Sequence, residues 1–134
     1  MSKDIKAVIL AAGKGTRMKS NTPKVLHQIF GKPLLGYVLD NVKNLTNEAF
    51  VIVGHHAEEV TDYVNKNYQK AKTVLQTPQL GTGHAVSMVC PALENFDGQV
   101  IILCGDTPII TEKTLREFVE YHNTQNSDLT VMST

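Results

Sequence analysis

Two hydrophobic spacings alternate along the chain. Ala7 to Leu10 is a continuous apolar run that reads as a buried strand, and it leads directly into Ala11-Ala12-Gly13-Lys14-Gly15-Thr16-Arg17-Met18. Leu35, Val38, Leu39, Val42 and Leu45 then recur at i, i+3, i+4, i+7 spacing, which predicts a helix from about Pro33 to Asn44. Phe50-Val51-Ile52-Val53 is a second strand, ended by Gly54, and Val60, Tyr63, Val64 and Asn67 mark a second helix. Thr73 to Leu75 reads as a third strand, Gly83 to Leu93 as a third helix with Val86, Val89 and Leu93 inward, and Val100 to Leu103 as a fourth strand. Thr111 stands at the N-cap of a fourth helix with Glu112 in its first turn and Leu115, Phe118, Val119 and His122 as its stripe; Leu129 to Met132 then begins a fifth strand.

Strands alternating with helices predict βαβ units, hence an α/β fold with an open, mostly parallel, Rossmann-like sheet and flanking helices. Ligands of such sheets collect at the carboxyl ends of the strands. The expected site therefore lies on the loops after strands one, three and four. Those loops hold the Gly-rich segment, Gln76 to His84, and Cys104 to Pro108. The chain stops in or just after the fifth strand, so it is expected to be part of a larger domain.

Composition narrows the partners. The 134 residues carry 13 basic and 13 acidic side chains, so no broad positive field exists to draw nucleic acid or an anionic membrane. Any anion must be recognised locally. No apolar stretch approaches the ~20 residues that span a bilayer, and the Ala7 to Ala12 run is too short for a leader's core, which predicts a cytoplasmic protein. Cys90 and Cys104 are far apart, lack Cys-x-x-Cys spacing and sit in apolar contexts, as reduced core or near-site thiols would.

The chemistry concentrates in the three loops. Small residues at 11, 12, 13 and 15 let backbone N–H groups approach phosphate oxygens, with Arg17 and Lys24 as adjacent cations. Arginine grips phosphate through a planar fork, whereas lysine is a mobile point charge. Such a Gly-x-Gly is also a common tight turn. It is neither a dinucleotide fingerprint, since Met18 stands where a third glycine belongs, nor a Walker loop. Gly105-Asp106 ends an apolar strand with a carboxylate, either a turn former before Thr107-Pro108 or a ligand for Mg²⁺, which is commonly held by one or two carboxylates plus phosphates.

In the third loop Gln76 and Gln79 bring paired donors and acceptors suited to a pyrimidine edge, and Gly81 leaves peptide groups open to it. Thr82 is a helix cap or a contact, and Gln79 a contact or a surface residue. His84 reads as a packing residue at the helix start. His55-His56 reads as a solvated loop rather than a metal site, and His27 has no evident partner. No Gly-x-Ser-x-Gly elbow or visible Cys–His pair supports a nucleophilic mechanism. Cations, backbone donors and one carboxylate suit phosphoryl or nucleotidyl transfer.

These motifs resemble the sugar-nucleotide pyrophosphorylase family, and within it the bacterial uridylyltransferases that act on N-acetylglucosamine 1-phosphate. The resemblance rests on Leu10 to Met18, Pro23-Lys-Val-Leu-His27 with Gly31-Lys-Pro33, Gln76, Gln79-Leu-Gly-Thr-Gly-His-Ala85 and Gly105-Asp106, in the family's order across nearly the whole chain. The isoprenoid cytidylyltransferases share the Gly-rich start but carry Pro-Lys-Gln where this chain has Pro23-Lys24-Val25.

The resemblance implies the nucleotide-diphospho-sugar transferase type of fold. It also implies Mg²⁺-dependent conversion of UTP and N-acetylglucosamine 1-phosphate to UDP-N-acetylglucosamine and pyrophosphate, for cell-wall precursors. On this basis Leu10, Ala11, Ala12 and Gly13 hold the nucleotide, Arg17 steadies the pyrophosphate and Lys24 contacts phosphate. Gln76 and Gly81 read uracil with Thr82 nearby, Cys104 and Gly105 border the ribose, and Asp106 binds the metal. Cys104 stands where some relatives carry an aromatic residue.

Family members continue well beyond Thr134 with sugar-binding residues, a second metal ligand and a trimerising β-helix that carries acetyltransferase activity. Hexapeptide repeats of that kind are absent here. Residues 1–134 are thus expected to be the N-terminal part of the transferase domain, weak or inactive alone, of a homotrimeric parent. A transferase for another base or sugar, and a nucleotide-binding module without chemistry, are the alternative readings.

Overall fold

The structure, a computed structural model, describes residues 4–13 and 22–132. Four parallel strands form the sheet: β1 (Ile5–Leu10), β4 (Glu48–Val53), β5 (Ala71–Leu75) and β6 (Gln99–Cys104), in the order β5-β4-β1-β6. Two short strands, β2 (Gln28–Ile29) and β3 (Lys32–Pro33), form a separate hairpin. Its turn residues Phe30 and Gly31 both have positive φ, the pairing that matches strand twist in a two-residue hairpin, and the Phe30 ring is fully in solvent. Helices α1 (Leu34–Val42), α2 (Ala57–Asn67), α3 (Thr82–Ser87) and α4 (Glu112–Thr124) flank the sheet.

β1 is central, hydrogen-bonded to β4 on one side and β6 on the other, with Ile9 opposite both Val51 and Leu103. Ala7, Val8 and Ile9 are wholly buried, which explains their unbroken apolar run. Because side chains alternate across a strand, Ile5, Ala7 and Ile9 point to one face and Val8 to the other. On the first face they join Val51, Val53 and Ile101 beneath the predicted stripe of α1, with Val60 and Val64 of α2 and Leu115 of α4. On the second face Val8, Phe50 and Ile52 meet Ala85 and Val89 from the α3 segment.

Two predicted elements differ. The helix expected over Gly83 to Leu93 ends at Ser87 and is followed by a 3-10 turn, Cys90–Leu93. Pro91 has no N–H to donate and disfavours helical backbone at Cys90, so the turn tightens there. Val89 is buried as expected, whereas Val86 is only half-buried. The strand expected at Leu129 to Met132 does not form. A strand needs a partner, and among the described residues nothing pairs with that segment; Leu129 is 80% and Val131 76% exposed. Cys90 is a free thiol at the surface rather than in the core.

The sheet carries one charged cluster near its amino end. Glu48 at the start of β4 lies 2.8 Å from Lys72 Nζ on β5 and 3.5 Å from Lys6 Nζ on β1. The hydrogen bond from Lys72 holds the Glu48 carboxyl below its ordinary range, against the opposing effect of burial. A depressed carboxyl adds stability above its unfolded pKa, and that stability is lost as pH falls through the folded pKa. Glu48→Gln should lower unfolding free energy by about 0.5–1 kcal/mol at neutral pH and by less at pH 3, read from urea denaturation at both values.

Candidate functional site

The strand order makes β1 and β6 the place where successive connections leave in opposite directions, the switch point at which open α/β sheets bind ligands. The loops ending these two strands are stitched together there. Gly105 N–H donates to the Leu10 carbonyl at 2.9 Å, and Ala11 N–H donates to the Ile52 carbonyl of β4 at 2.9 Å. A side chain on Gly105 would press within 3.2 Å of both Leu10 O and Val25 Cγ1, so glycine permits this close approach. Ala11 and Ala12 are buried, while Gly13 is exposed, and among the described residues nothing would stand within 4 Å of a Cβ there.

Lys24 opens the 3-10 turn Lys24–Leu26, which is anchored by buried Val25. Its ammonium lies 2.9 Å from Asp106 Oδ2, with the side chains 43% and 30% exposed. The structure thus places a cation and a carboxylate in contact across the switch point. Sequence reading named both but did not pair them. At such exposure an ion pair is worth about 0–1 kcal/mol, so either partner exchanges readily for a ligand. Arg17 lies outside the described residues, as do Lys14, Gly15, Thr16 and Met18.

The Gln76–His84 loop closes the opposite end. Gln76 is 4% exposed; its backbone N–H donates to Val53 O at 2.7 Å. Its side-chain Nε2 lies 3.1 Å from the Gly81 carbonyl and 3.0 Å from His84 Nδ1. Gly81 has φ of 105°, and Gly81 rather than Thr82 occupies the α3 N-cap position without a side-chain bond. Thr82 is the exposed first residue of α3, so its predicted cap is not made. His84 does more than pack, since its ring holds Gln76.

Gln79 is exposed in its loop, yet it does not hang free. In the amide orientation that satisfies both neighbours, its nitrogen donates to Ala12 O at 3.0 Å and its oxygen accepts from His55 N–H at 2.8 Å. One side chain therefore joins the loops after β1, β4 and β5. Gly54, Leu75, Gln76, Thr77 and Gln79 line a cleft of about 360 Å³ beside this clamp. Gly54 and Leu75 were missed in the sequence reading. Gly54 at a strand's carboxyl end was the available signal.

The remaining candidates fall as follows. Cys104 ends β6 as an exposed free thiol beside Asp106. His56 pairs with Glu59 at 3.1 Å and stacks edge-on with His55, while the His27 ring meets Thr22 O at 3.1 Å. Among the described residues no three His, Cys, Asp or Glu side chains gather as a metal cage. A lone, half-exposed strand-end carboxylate instead fits a hard cation that keeps waters and takes phosphate oxygens. Among the same residues no helix is long and apolar enough to cross a membrane.

A parallel sheet with a cation and a carboxylate in contact at its switch point, and a polar cleft toward its far edge, marks an α/β domain whose candidate site lies at the carboxyl ends of its strands. The chain belongs to the family of MobA-like NTP transferase domains, which matches residues 7–134. It is 49% identical over 131 residues to the bifunctional protein GlmU of Alkaliphilus oremlandii, covering 97% of this chain and 28% of that protein. The chain thus spans little more than a quarter of the curated relatives' length. Among solved structures it is similar to HddC from Yersinia pseudotuberculosis complexed with GMP-PN, at 27% identity and a TM-score of 0.72 over 87% of this chain and 53% of that one. A nucleotidyl transferase from Methanothermobacter thermautotroptrophicus shares the fold, with a TM-score of 0.72 at 23% identity, over 88% of this chain and 57% of that one.

The clamp yields a direct test. A Cβ at Gly54 would stand 2.5 Å from a terminal atom of the Gln79 amide and 3.1 Å from Ala12 Cβ, so the substituent must displace Gln79. Gly54→Ala and Gln79→Ala should each cost about 1–2 kcal/mol, and the double variant no more than the larger single loss, because both break the same link. Chemical denaturation of the four proteins measures the cycle.

Proposed function

We propose that the chain supplies the nucleotide half of a uridylyltransferase site that makes UDP-N-acetylglucosamine and pyrophosphate from UTP and N-acetylglucosamine 1-phosphate. One observation carries the reading: the polar cleft at β5 and the Lys24–Asp106 pair at β1 and β6 lie on the same sheet edge, stitched into one rim. Three strand spacings separate β5 from β6, roughly 14 Å, a distance a nucleoside triphosphate bridges with its base at one end and phosphates at the other. Similarity to the GlmU proteins supports the choice of uridine and of the amino sugar.

Roles follow from chemistry at each position. Leu10 to Gly13 would line the nucleotide with backbone donors, and Gln76 and Gly81 would meet the base with Thr82 at the cleft's margin. Lys24 would move from Asp106 to the phosphates, leaving the Asp106 carboxylate, with Cys104 and Gly105 beside the ribose, to hold Mg²⁺. The metal supplies charge neutralisation on the phosphates. An oxygen of the sugar phosphate would bond to the α-phosphorus as the α–β anhydride bond breaks, and pyrophosphate would leave against Arg17. The sugar side of the site, the acetyltransferase activity and the trimer belong to the proposal for a longer parent.

Calorimetric titration of the chain with UTP, CTP and GTP in the presence of Mg²⁺ tests the assignment: UTP should bind best, and tighter binding of CTP or GTP would overturn it. Adding N-acetylglucosamine 1-phosphate and following pyrophosphate separates half-site from complete enzyme, since binding without release is expected of these 134 residues. Asp106→Asn should abolish the metal dependence of UTP binding. In a chain long enough to turn over, Arg17→Ala should lower kcat by about a hundredfold with KM little changed, the mark of an interaction made in the transition state.

A further inference from the structure

We infer that His84 is a positioning residue that, as the second anchor beside the Gly81 carbonyl, holds the Gln76 amide with its oxygen toward the base, and so sharpens the preference for a base bearing a ring N–H. The inference rests on the reading above that the cleft at Gln76 receives a pyrimidine. It begins with the Gly81 carbonyl, which can only accept. The amide atom 3.1 Å from it must therefore be the nitrogen. That nitrogen has two hydrogens. One goes to Gly81 O, and the other points to His84 Nδ1 at 3.0 Å, which must then carry a lone pair, with the ring hydrogen on Nε2.

Both donors of Gln76 are consequently spent, and Oε1 is left without a partner among the described residues. The Gly81 carbonyl is equally committed, since it also accepts Ala85 N–H at 3.0 Å. What remains is one acceptor, Gln76 Oε1, and one donor, the Gly81 N–H. Uracil offers the complement: a carbonyl oxygen adjacent to the N3–H. Cytosine offers a carbonyl beside a bare N3, whose lone pair would face the lone pairs of Oε1. Gln76 is 4% exposed and its amide nitrogen is held on two sides, so the amide cannot readily reorient to relieve that mismatch. Without an acceptor at position 84, one Gln76 hydrogen loses its partner and the amide is held by the Gly81 carbonyl alone, so Oε1 is aimed at the base less firmly and the penalty against a bare ring nitrogen shrinks.

The test uses the chain itself, with UTP and CTP as probes in Mg²⁺, and His84→Leu and His84→Asn as variants. Asparagine can place Oδ1 near the position of Nδ1, retaining an acceptor, whereas leucine retains only bulk. Wild type should prefer UTP. His84→Leu should lose about tenfold of that preference, and His84→Asn should restore most of it. Retained preference in His84→Leu, or a loss that His84→Asn does not restore, overturns the inference. Nitrogen-15 NMR of the wild-type histidine rings gives a second readout that needs no variant to fold: Nδ1 of neutral His84 should be the bare nitrogen, and an Nδ1–H tautomer overturns the lock. A wild type that binds neither nucleotide, or favours CTP, refutes the uridylyl reading instead, while the NMR result still decides whether His84 holds the Gln76 amide.

Discussion

The site depends on β1 being hydrogen-bonded on both sides. A strand in that position is buried above and below, so its sequence is almost wholly apolar and its polar backbone is satisfied by two neighbours. Its carboxyl end is different. There the connections part, the one after β1 leading toward β4 and the one after β6 toward α4, so the two loops diverge from neighbouring strand ends. The small residues at 11, 12 and 105 keep side chains from filling the space that the parting creates. Everything attributed to the rim follows from this geometry.

Among the described residues the rim is polar but not strongly charged. Among these described residues Lys24 and Asp106 neutralise each other, and the edge otherwise offers amides and backbone groups. This matches a chain whose charges balance overall. Attraction of an anion is therefore short-ranged, and selectivity comes from hydrogen-bond pattern rather than from a long-range field. On the proposed reading, exchange of this weak internal ion pair for contacts with phosphate and metal would need no movement of the sheet.

Much of this was legible in the sequence because it is local. The stripe of α1, the buried run of β1, the cap at Thr111, which accepts Thr114 N–H, and the carboxylate ending β6 each announce themselves within a few residues. The errors have a common cause. Leu129 to Met132 has strand-like composition, but pairing is a relation to another segment that composition does not reveal. The apolar spacing of the third helix continues past Pro91, although the helix itself ends at Ser87. Gln79, His55 and Ala12 meet only because β1, β4 and β5 end at the same edge, just as Lys24 meets Asp106 across the switch point. Residue types at these positions suggested ligands; only the fold showed that they also hold one another.

The strand order has one more consequence. Inter-strand distance is set by backbone hydrogen bonds, so the separation between the cleft and the Lys24–Asp106 pair comes in whole strands and cannot be adjusted by fractions. The rim acts as a ruler with fixed graduations. On the proposed reading a change of base would alter side chains at the cleft and leave the sheet untouched, whereas a ligand of different length would require a strand gained or lost, and that would dismantle the core before it moved the marks.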